Sequence, residues 1–448
     1  MSHAPTSEAR FVTGSTMRHV VVMTFTGALG LMSMFLVDLA DLFYLSLLGK
    51  TEITAAIGYA GTVVFTNLSL CIGTGIAAAV LVARNLGAKR PERAREFATS
   101  CFMYSAILSV GFSFLIALAA DWLLRLLGAQ GEALALAKQF IWIASPGFVF
   151  LAGGVACSFI LRGLGDARRA MYVTLVVAII IAILDPIFIF WLGWGIQGAA
   201  LAGVLADLGA LAIGLRSVHR VHNFFAPPSW TRLRADMREI SEIAIPAMLT
   251  QLATPFANAY ATRSVAPFGN EAVAAAAIVG RIIPVAFGII FALSGSVGPV
   301  IGQNFGARRY DRVRRTLTDG LIFATIYTLA TSALLFLFRH EIADLFRASG
   351  RTIDLVLFFC SFIAGSWAFA GAQFVASAAF NNLGHPNTST AFNWGKATLG
   401  TIPFALYGAH VAGPEGVMAG MALGSVIFGV ASVAWAYRII GQVEQQKA

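Results

Sequence analysis

The sequence predicts an all-α membrane protein, with twelve transmembrane helices arranged as two pseudo-symmetric six-helix lobes. Three observations carry that prediction. Of 448 residues, 58% are hydrophobic and 12% are charged, and the mean hydropathy is +0.77, whereas a soluble protein carries about 25% charged residues. The apolar residues fall into twelve runs, near 20–48, 53–84, 97–126, 133–162, 170–192, 196–216, 240–265, 272–303, 314–338, 353–381, 389–411 and 416–438. Each is long enough to cross a bilayer, which takes about 20 helical residues, and none alternates as barrel strands do. Finally, the second half repeats the first. Asn85-Leu86-Gly87-Ala88 matches Asn304-Phe305-Gly306-Ala307, and Leu164-Gly165 matches Leu383-Gly384, both at a separation of 219 positions. Six runs per repeat is an even number, so both halves enter the membrane in the same direction.

Taken in order, residues 1–17 read as a polar N-terminal tail, and the apolar run that follows is too long for a cleavable signal. Residues 18–220 form the N-lobe, 221–238 a linker, 239–440 the C-lobe and 441–448 a C-terminal tail. Basic residues concentrate in the connections after even-numbered runs: Lys89, Arg90, Arg93 and Arg95; Arg168 and Arg169; Arg232 and Arg234; then Arg308, Arg309, Arg312, Arg314 and Arg315. Arg339, Arg347 and Arg351, after the ninth run, depart from this pattern, and the tenth connection, residues 381–387, has no Lys or Arg. The bias still places the even connections and both termini in the cytoplasm. It also accounts for the net charge of +9 without a nucleic-acid partner, for which there is no soluble domain. Cys71, Cys101, Cys157 and Cys360 all lie within apolar runs without metal spacing, so they read as small buried hydrophobes. With no phosphate-binding GxxxxGK[ST] loop and no soluble catalytic domain, the chain reads as neither an ATP-driven pump nor an enzyme.

The first run holds two carboxylates, Asp38 and Asp41, three residues apart and so on one helix face. An acid at membrane depth costs several kcal/mol unless paired, hydrated or protonated. Asp41 stands seven residues before Leu48, and Asp185 seven before Leu192. Both runs are odd-numbered and lead outward, so each acid sits roughly 10 Å below the outer end of its helix, as a shared site requires. Pro186 removes a backbone donor, bends the fifth helix and frees the Ala182 carbonyl. The plainer reading of either acid is a hydrogen bond between packed helices, and this applies with more force to Asp38 and to Asp207 in the sixth run. Asn67, Gln251, Asn258, Tyr260 and Gln373 are polar positions that either line a substrate cleft or join helices. In the second half, Ala261, Asn258 and Phe404 stand opposite Asp41, Asp38 and Asp185, so the acids belong to the first lobe alone.

Several segments together resemble the multidrug and toxic compound extrusion (MATE) family of secondary transporters: Val37-Asp38 through Asp41 to Leu48-Gly49, Asn85-Leu86-Gly87-Ala88, Leu161-Arg162-Gly163-Leu164-Gly165-Asp166, Leu184-Asp185-Pro186 and Gly198-Ala199-Ala200-Leu201-Ala202. The resemblance covers about residues 18–440, and Leu184-Asp185-Pro186-Ile187-Phe188 is similar to the DinF-like branch. It implies two lobes around a V-shaped central cleft and export of amphipathic, mostly cationic organic compounds in exchange for protons or sodium ions. It also implies an ion-coupling site in the N-lobe at Asp41 and Asp185, with Asp38 beside them. Where sodium-binding relatives place an Asn and a Thr, this chain has Ile181 and Gly203. Two oxygen ligands are thereby missing, which favours protons. The expectation is therefore a proton-coupled, multi-pass antiporter of the bacterial inner membrane. It would be monomeric, needing no cofactor beyond the ion gradient, and its partners would be small amphipathic compounds and membrane lipids, not nucleic acid. The alternatives are a sodium-coupled antiporter, a flippase for a lipid-linked precursor, which would need a strongly basic cavity, or a non-transporting receptor or channel.

Overall fold

The computed structural model describes residues 8–46 and 51–447, with side chains for all of these except 38–43, 45, 46, 51, 54, 446 and 447. The described residues are overwhelmingly helical and contain no strand. Helices α1 to α6 are Thr16–Ser46, Thr51–Gly87, Pro91–Leu126, Gly131–Leu164, Ala167–Trp191 and Gly195–Val221. Then follow α7 (Trp230–Val265), α8 (Asn270–Gly306), α9 (Tyr310–Leu337), a short helix Arg339–Leu345, and α10 (Arg351–Leu383). Helix α11 is Pro386–Ala397 continued, after a turn at 398–401, by residues 402–411, and residues 414–447 form α12; non-helical backbone at Ala412 and Gly413 parts the two. Among the described residues, ten stretches are long and apolar enough to cross a membrane; one of them, Pro386–Gln445, contains both α11 and α12. The remaining helix, α7, falls short because Thr250, Gln251, Thr254, Asn258 and Thr262 dilute its second half.

The backbone repeats more closely than the side chains. In the connection after α2, Lys89 lies at φ 58°; in that after α8, Arg308 does too. Each turn closes with the same bonds, Arg90 N–H to the Asn85 carbonyl and Arg309 N–H to the Asn304 carbonyl, both 2.9 Å. A left-handed non-glycine residue costs roughly 1 kcal/mol, so its appearance in both copies marks a turn whose geometry matters. Helices α4 and α10 both break into a 3₁₀ turn at equivalent places, Ser145–Gly147 and Ala364–Ser366. Both end on a left-handed glycine, Gly165 (φ 82°) and Gly384 (φ 90°).

After Gly165 the next residue starts the next helix. Asp166 caps α5, accepting from the Arg169 backbone N–H (3.2 Å) and guanidinium (2.6 Å), and pairs with His222 Nε2 at 2.9 Å. Burial would raise the Asp166 pKa, but the bonds from His222 and Arg169 outweigh it and hold the carboxyl well below the usual range.

The chain forms two compact units. Of the described residues, 8, 9 and those between 29 and 248 belong to unit 1, and Arg10–Ala28 and those from Leu249 onward belong to unit 2. In unit 1, one core gathers Leu86, Phe97, Ile160 and Ile240, and a second gathers Ile53, Ile116, Ile141 and Ile189. Unit 2 has a continuous core from Val20 through Phe287 and Phe380 to Val443.

Both α1 and α7 are shared between the units, and matching contacts secure their starts. In unit 1, the fully buried Asp236 of α7 accepts from Ser100 Oγ of α3 (2.6 Å) and pairs with Arg93 at 2.5 Å. In unit 2, Thr16 Oγ1 of α1 donates to Asp319 of α9. Thr16 and Asp236 occupy equivalent places in the repeat, as do Ser100 and Asp319, with acid and hydroxyl exchanged. Just before α1, Phe11 is buried, and Arg312 donates to the carbonyls of Phe11 (2.9 Å) and Gly14 (3.0 Å). Just before α7, Ser229 Oγ caps the helix by accepting from Arg232 N–H, so α7 begins at Trp230, inside the stretch that sequence reads as linker.

Asp236→Ala removes the acceptor of a buried hydroxyl and guanidinium and is expected to cost about 3 kcal/mol, read as a lowered melting temperature in detergent. Asp166→Asn is also expected to lower it at pH 7. Because the folded carboxyl is depressed, its contribution is complete above the unfolded pKa of about 4. The gap between wild type and variant therefore closes as pH falls below that value.

Candidate functional site

In α5, the helix keeps α geometry through Pro186 and then passes into a π turn, Ile187–Trp191. Pro186 has no N–H to offer the Ala182 carbonyl, which explains why the ladder changes there. Asp185, immediately before it, is 1% exposed. Its helix lies close to α6 through small residues: a Cβ on Gly198 would sit 2.8 Å from the Phe188 carbonyl carbon, and one on Gly209 would collide with Ile180. This close approach brings the half-buried Asp207 of α6 into the same unit.

At 1.5 Å per residue, Asp185 lies roughly 27 Å along α5 from Ala167, and Asn67 roughly 30 Å along α2 from Gly87. Both distances start from the end that carries the basic connections, so the two groups sit at similar depth. Asp207 lies roughly 21 Å from Val221 on the same scale, nearer the basic end. Asn67 is fully buried, and neither its Oδ1 nor its Nδ2 has a hydrogen-bond partner among the described residues. A buried amide left so costs about 1–3 kcal/mol and calls for an explanation beyond packing. Beside Gly203, one turn before Asp207, an added Cβ would meet nothing within 4 Å among the described residues. The space for a side chain is there and the oxygen is absent; Ile181, one turn before Asp185, is half-buried and apolar. The backbone is helical through Asp38 and Asp41, but their side chains lie outside the described residues.

In unit 2, among the described residues, the polar positions are not hydrogen-bonded to one another. Gln373 is 1% exposed and donates to the Phe392 carbonyl at 3.1 Å, tying α10 to α11. Tyr260 packs against the apolar core, Gln251 is half-buried and Asn258 is exposed. Lys396 of α11, another charged group in a membrane-spanning stretch, is half-buried. Asp236 and Asp319 do not stand out in the sequence, since each lies among charged residues near a run's end. Their signal is the match with Ser100 and Thr16 across the repeat.

The MatE family model matches twice, over residues 28–187 and 246–406, so each repeat is one copy of it. An FAD transporter of Shewanella oneidensis is 28% identical, aligned over 96% of both chains. The multidrug export protein MepA of Staphylococcus aureus is 24% identical over 89% of this chain and 85% of that one. Among solved structures, a MATE transporter in the straight conformation superposes with a TM-score of 0.92 at 24% identity, covering 99% of this chain and 100% of the other. The Vibrio cholerae MATE transporter VcmN gives 0.90 at 23%, covering 96% and 97%.

If the Asn67 amide serves cargo or water rather than packing, Asn67→Leu should keep or raise the melting temperature while lowering efflux severalfold. A large loss of stability would show that the amide is structural. The apolar helices, the doubled family match and the shared fold lead to one conclusion: the chain belongs to the MatE family of multidrug and toxic compound extrusion transporters, and is an integral membrane transporter, not an enzyme.

Proposed function

We propose that the chain is a proton-coupled antiporter of the DinF-like branch, exporting amphipathic, mostly cationic organic compounds across the bacterial inner membrane with both termini cytoplasmic. The observation that carries the reading is Asp185: a carboxylate 1% exposed, in an apolar helix, at the point where Pro186 ends the regular ladder. Asp41 is its proposed partner, with Asp38 assisting and Asp207 and Asn67 as accessory groups. A carboxyl shielded from water holds its proton and releases it when water enters, which is the minimum that proton exchange needs. The apolar Ile181 and the bare Gly203 support protons over sodium.

Purified protein in proteoliposomes, given a proton gradient or a sodium gradient separately, tests the coupling. Transport of a cationic dye is expected with the proton gradient alone. Asp41→Asn and Asp185→Asn should each abolish it while the protein stays folded. Transport driven by sodium alone, or full transport in Asp41→Asn, overturns the reading. In the double variant Ile181→Asn with Gly203→Thr, which restores the two missing oxygens, a response to sodium is expected.

A second substrate reading is favoured by the FAD transporter's similarity along nearly the whole chain and by Lys396 at membrane depth, an ammonium suited to an anionic group. On that reading, Lys396→Gln lowers transport of a flavin nucleotide and leaves that of a cationic dye unchanged.

A further inference from the structure

At the end of unit 1 that carries the basic connections, a cavity of about 910 Å³ lies between α3, α6 and the segment joining α6 to α7. Its walls are apolar, from Phe102 and Met103 on α3 and from Ala212 and Leu215 on α6. Its rim holds Arg95, Arg216, His219 and Arg220, and no carboxylate lines it. The helices are held at this spacing by glycine in α4: an added Cβ on Gly153 would meet both Leu211 of α6 (2.6 Å) and Phe102 of α3 (3.4 Å).

The third wall is fixed in place. Thr99 Oγ1 donates to the Ala226 carbonyl (3.1 Å) and accepts from the Ala226 N–H (2.9 Å). Arg95 donates to the Phe225 carbonyl at 3.3 Å and also reaches the exposed Glu92 at 3.3 Å. Its remaining donor, Nε, is buried without a partner among the described residues. Arg216 opens a π turn, Arg216–Val221, that widens the end of α6. The side chains of Arg216, His219 and Arg220 are exposed and have no partner among the described residues.

Along the same two helices, toward the membrane interior, Ile107 (45%), Phe114 (67%) and Leu208 (43%) are exposed, within stretches that can span a bilayer. The cationic rim and this exposed apolar surface thus lie along the same two helices. The second repeat carries different side chains at the equivalent places. There Thr318, the counterpart of Thr99, bonds to the Tyr437 hydroxyl at 2.7 Å, and Trp435 and Ile439 stand in place of Arg216 and Arg220.

We propose that this cavity is a binding site for one anionic phospholipid, its phosphate on the arginine rim and an acyl chain along Met103 and Leu215. The rim's charge is complementary to an anionic headgroup, and the apolar wall is what a free anion would not use. On the proposed orientation it faces the cytoplasmic leaflet, where anionic lipids attract basic pockets.

The full-length protein in detergent is titrated with phosphatidylglycerol or phosphatidylcholine, and bound lipid is counted by native mass spectrometry. One phosphatidylglycerol is expected to be retained about tenfold more tightly than phosphatidylcholine, because basic side chains at the membrane surface attract anionic headgroups. Arg216→Gln with Arg220→Gln should erase that preference. Met103→Trp, which fills the apolar wall and leaves every arginine, should weaken retention of phosphatidylglycerol. Both are compared at matched lipid-free melting temperature, with Met103→Phe and the single arginine variants as milder forms. Equal retention of the two lipids, unchanged retention in either set of variants, or full displacement by excess inorganic phosphate overturns the proposal, the last marking a site for free anions.

Discussion

A buried carboxylate held by a hydroxyl decides which helices belong together. Asp236 with Ser100, and Asp319 with Thr16, fasten the start of α7 to α3 and the start of α1 to α9. Asp236 is fully buried and Asp319 nearly so; such groups are tolerated only when their oxygens are satisfied. Each clasp lies where the first helix of a repeat emerges from its leading segment. The result is that Arg10–Ala28 counts with unit 2 and the first part of α7 with unit 1. The breaks fall near Ala28 and Met248, equivalent places in the two repeats. Two long helices are therefore divided between packing units, although neither shows a break in hydrophobic pattern there.

Duplication has preserved backbone devices and let chemistry diverge. The left-handed turns at Lys89 and Arg308, the 3₁₀ breaks in α4 and α10, and the glycines that end them occur in both copies. These set where the chain turns, and a turn cannot drift without displacing a whole helix. Side chains are under no such joint constraint. Asp185 has Phe404 as its counterpart, and the Thr99 that holds the linker has Thr318, bonded instead to Tyr437. The acids and the basic cavity both belong to the first repeat for this reason.

Helix association within the hydrocarbon draws on close packing, since lipid tails are as apolar as the side chains. Gly198 and Gly209 between α5 and α6, and Gly400 and Gly408 facing Gly424 and Gly416 between α11 and α12, let backbones touch. On α5, packed in this way against α6, Asp185 is removed from both water and lipid.

Composition and the spacing of apolar runs sufficed for the helical membrane fold and, with the motifs, for the family, because a bilayer leaves a long apolar segment no other backbone solution than a helix. The repeat was legible in Asn85 to Ala88 and in Leu164-Gly165, since turn residues are fixed by local φ and ψ. The candidate acids were legible as residues, since charge is conspicuous in an apolar run. Burial was not: Asn67 and Gln373 look alike in sequence, yet one amide is unpartnered and the other joins α10 to α11. Nor could sequence show that α1 begins in the second unit, that Asp236 meets Ser100, or that the linker walls a cavity. Those depend on contacts between residues more than a hundred positions apart, and only three-dimensional packing brings such groups within hydrogen-bonding range.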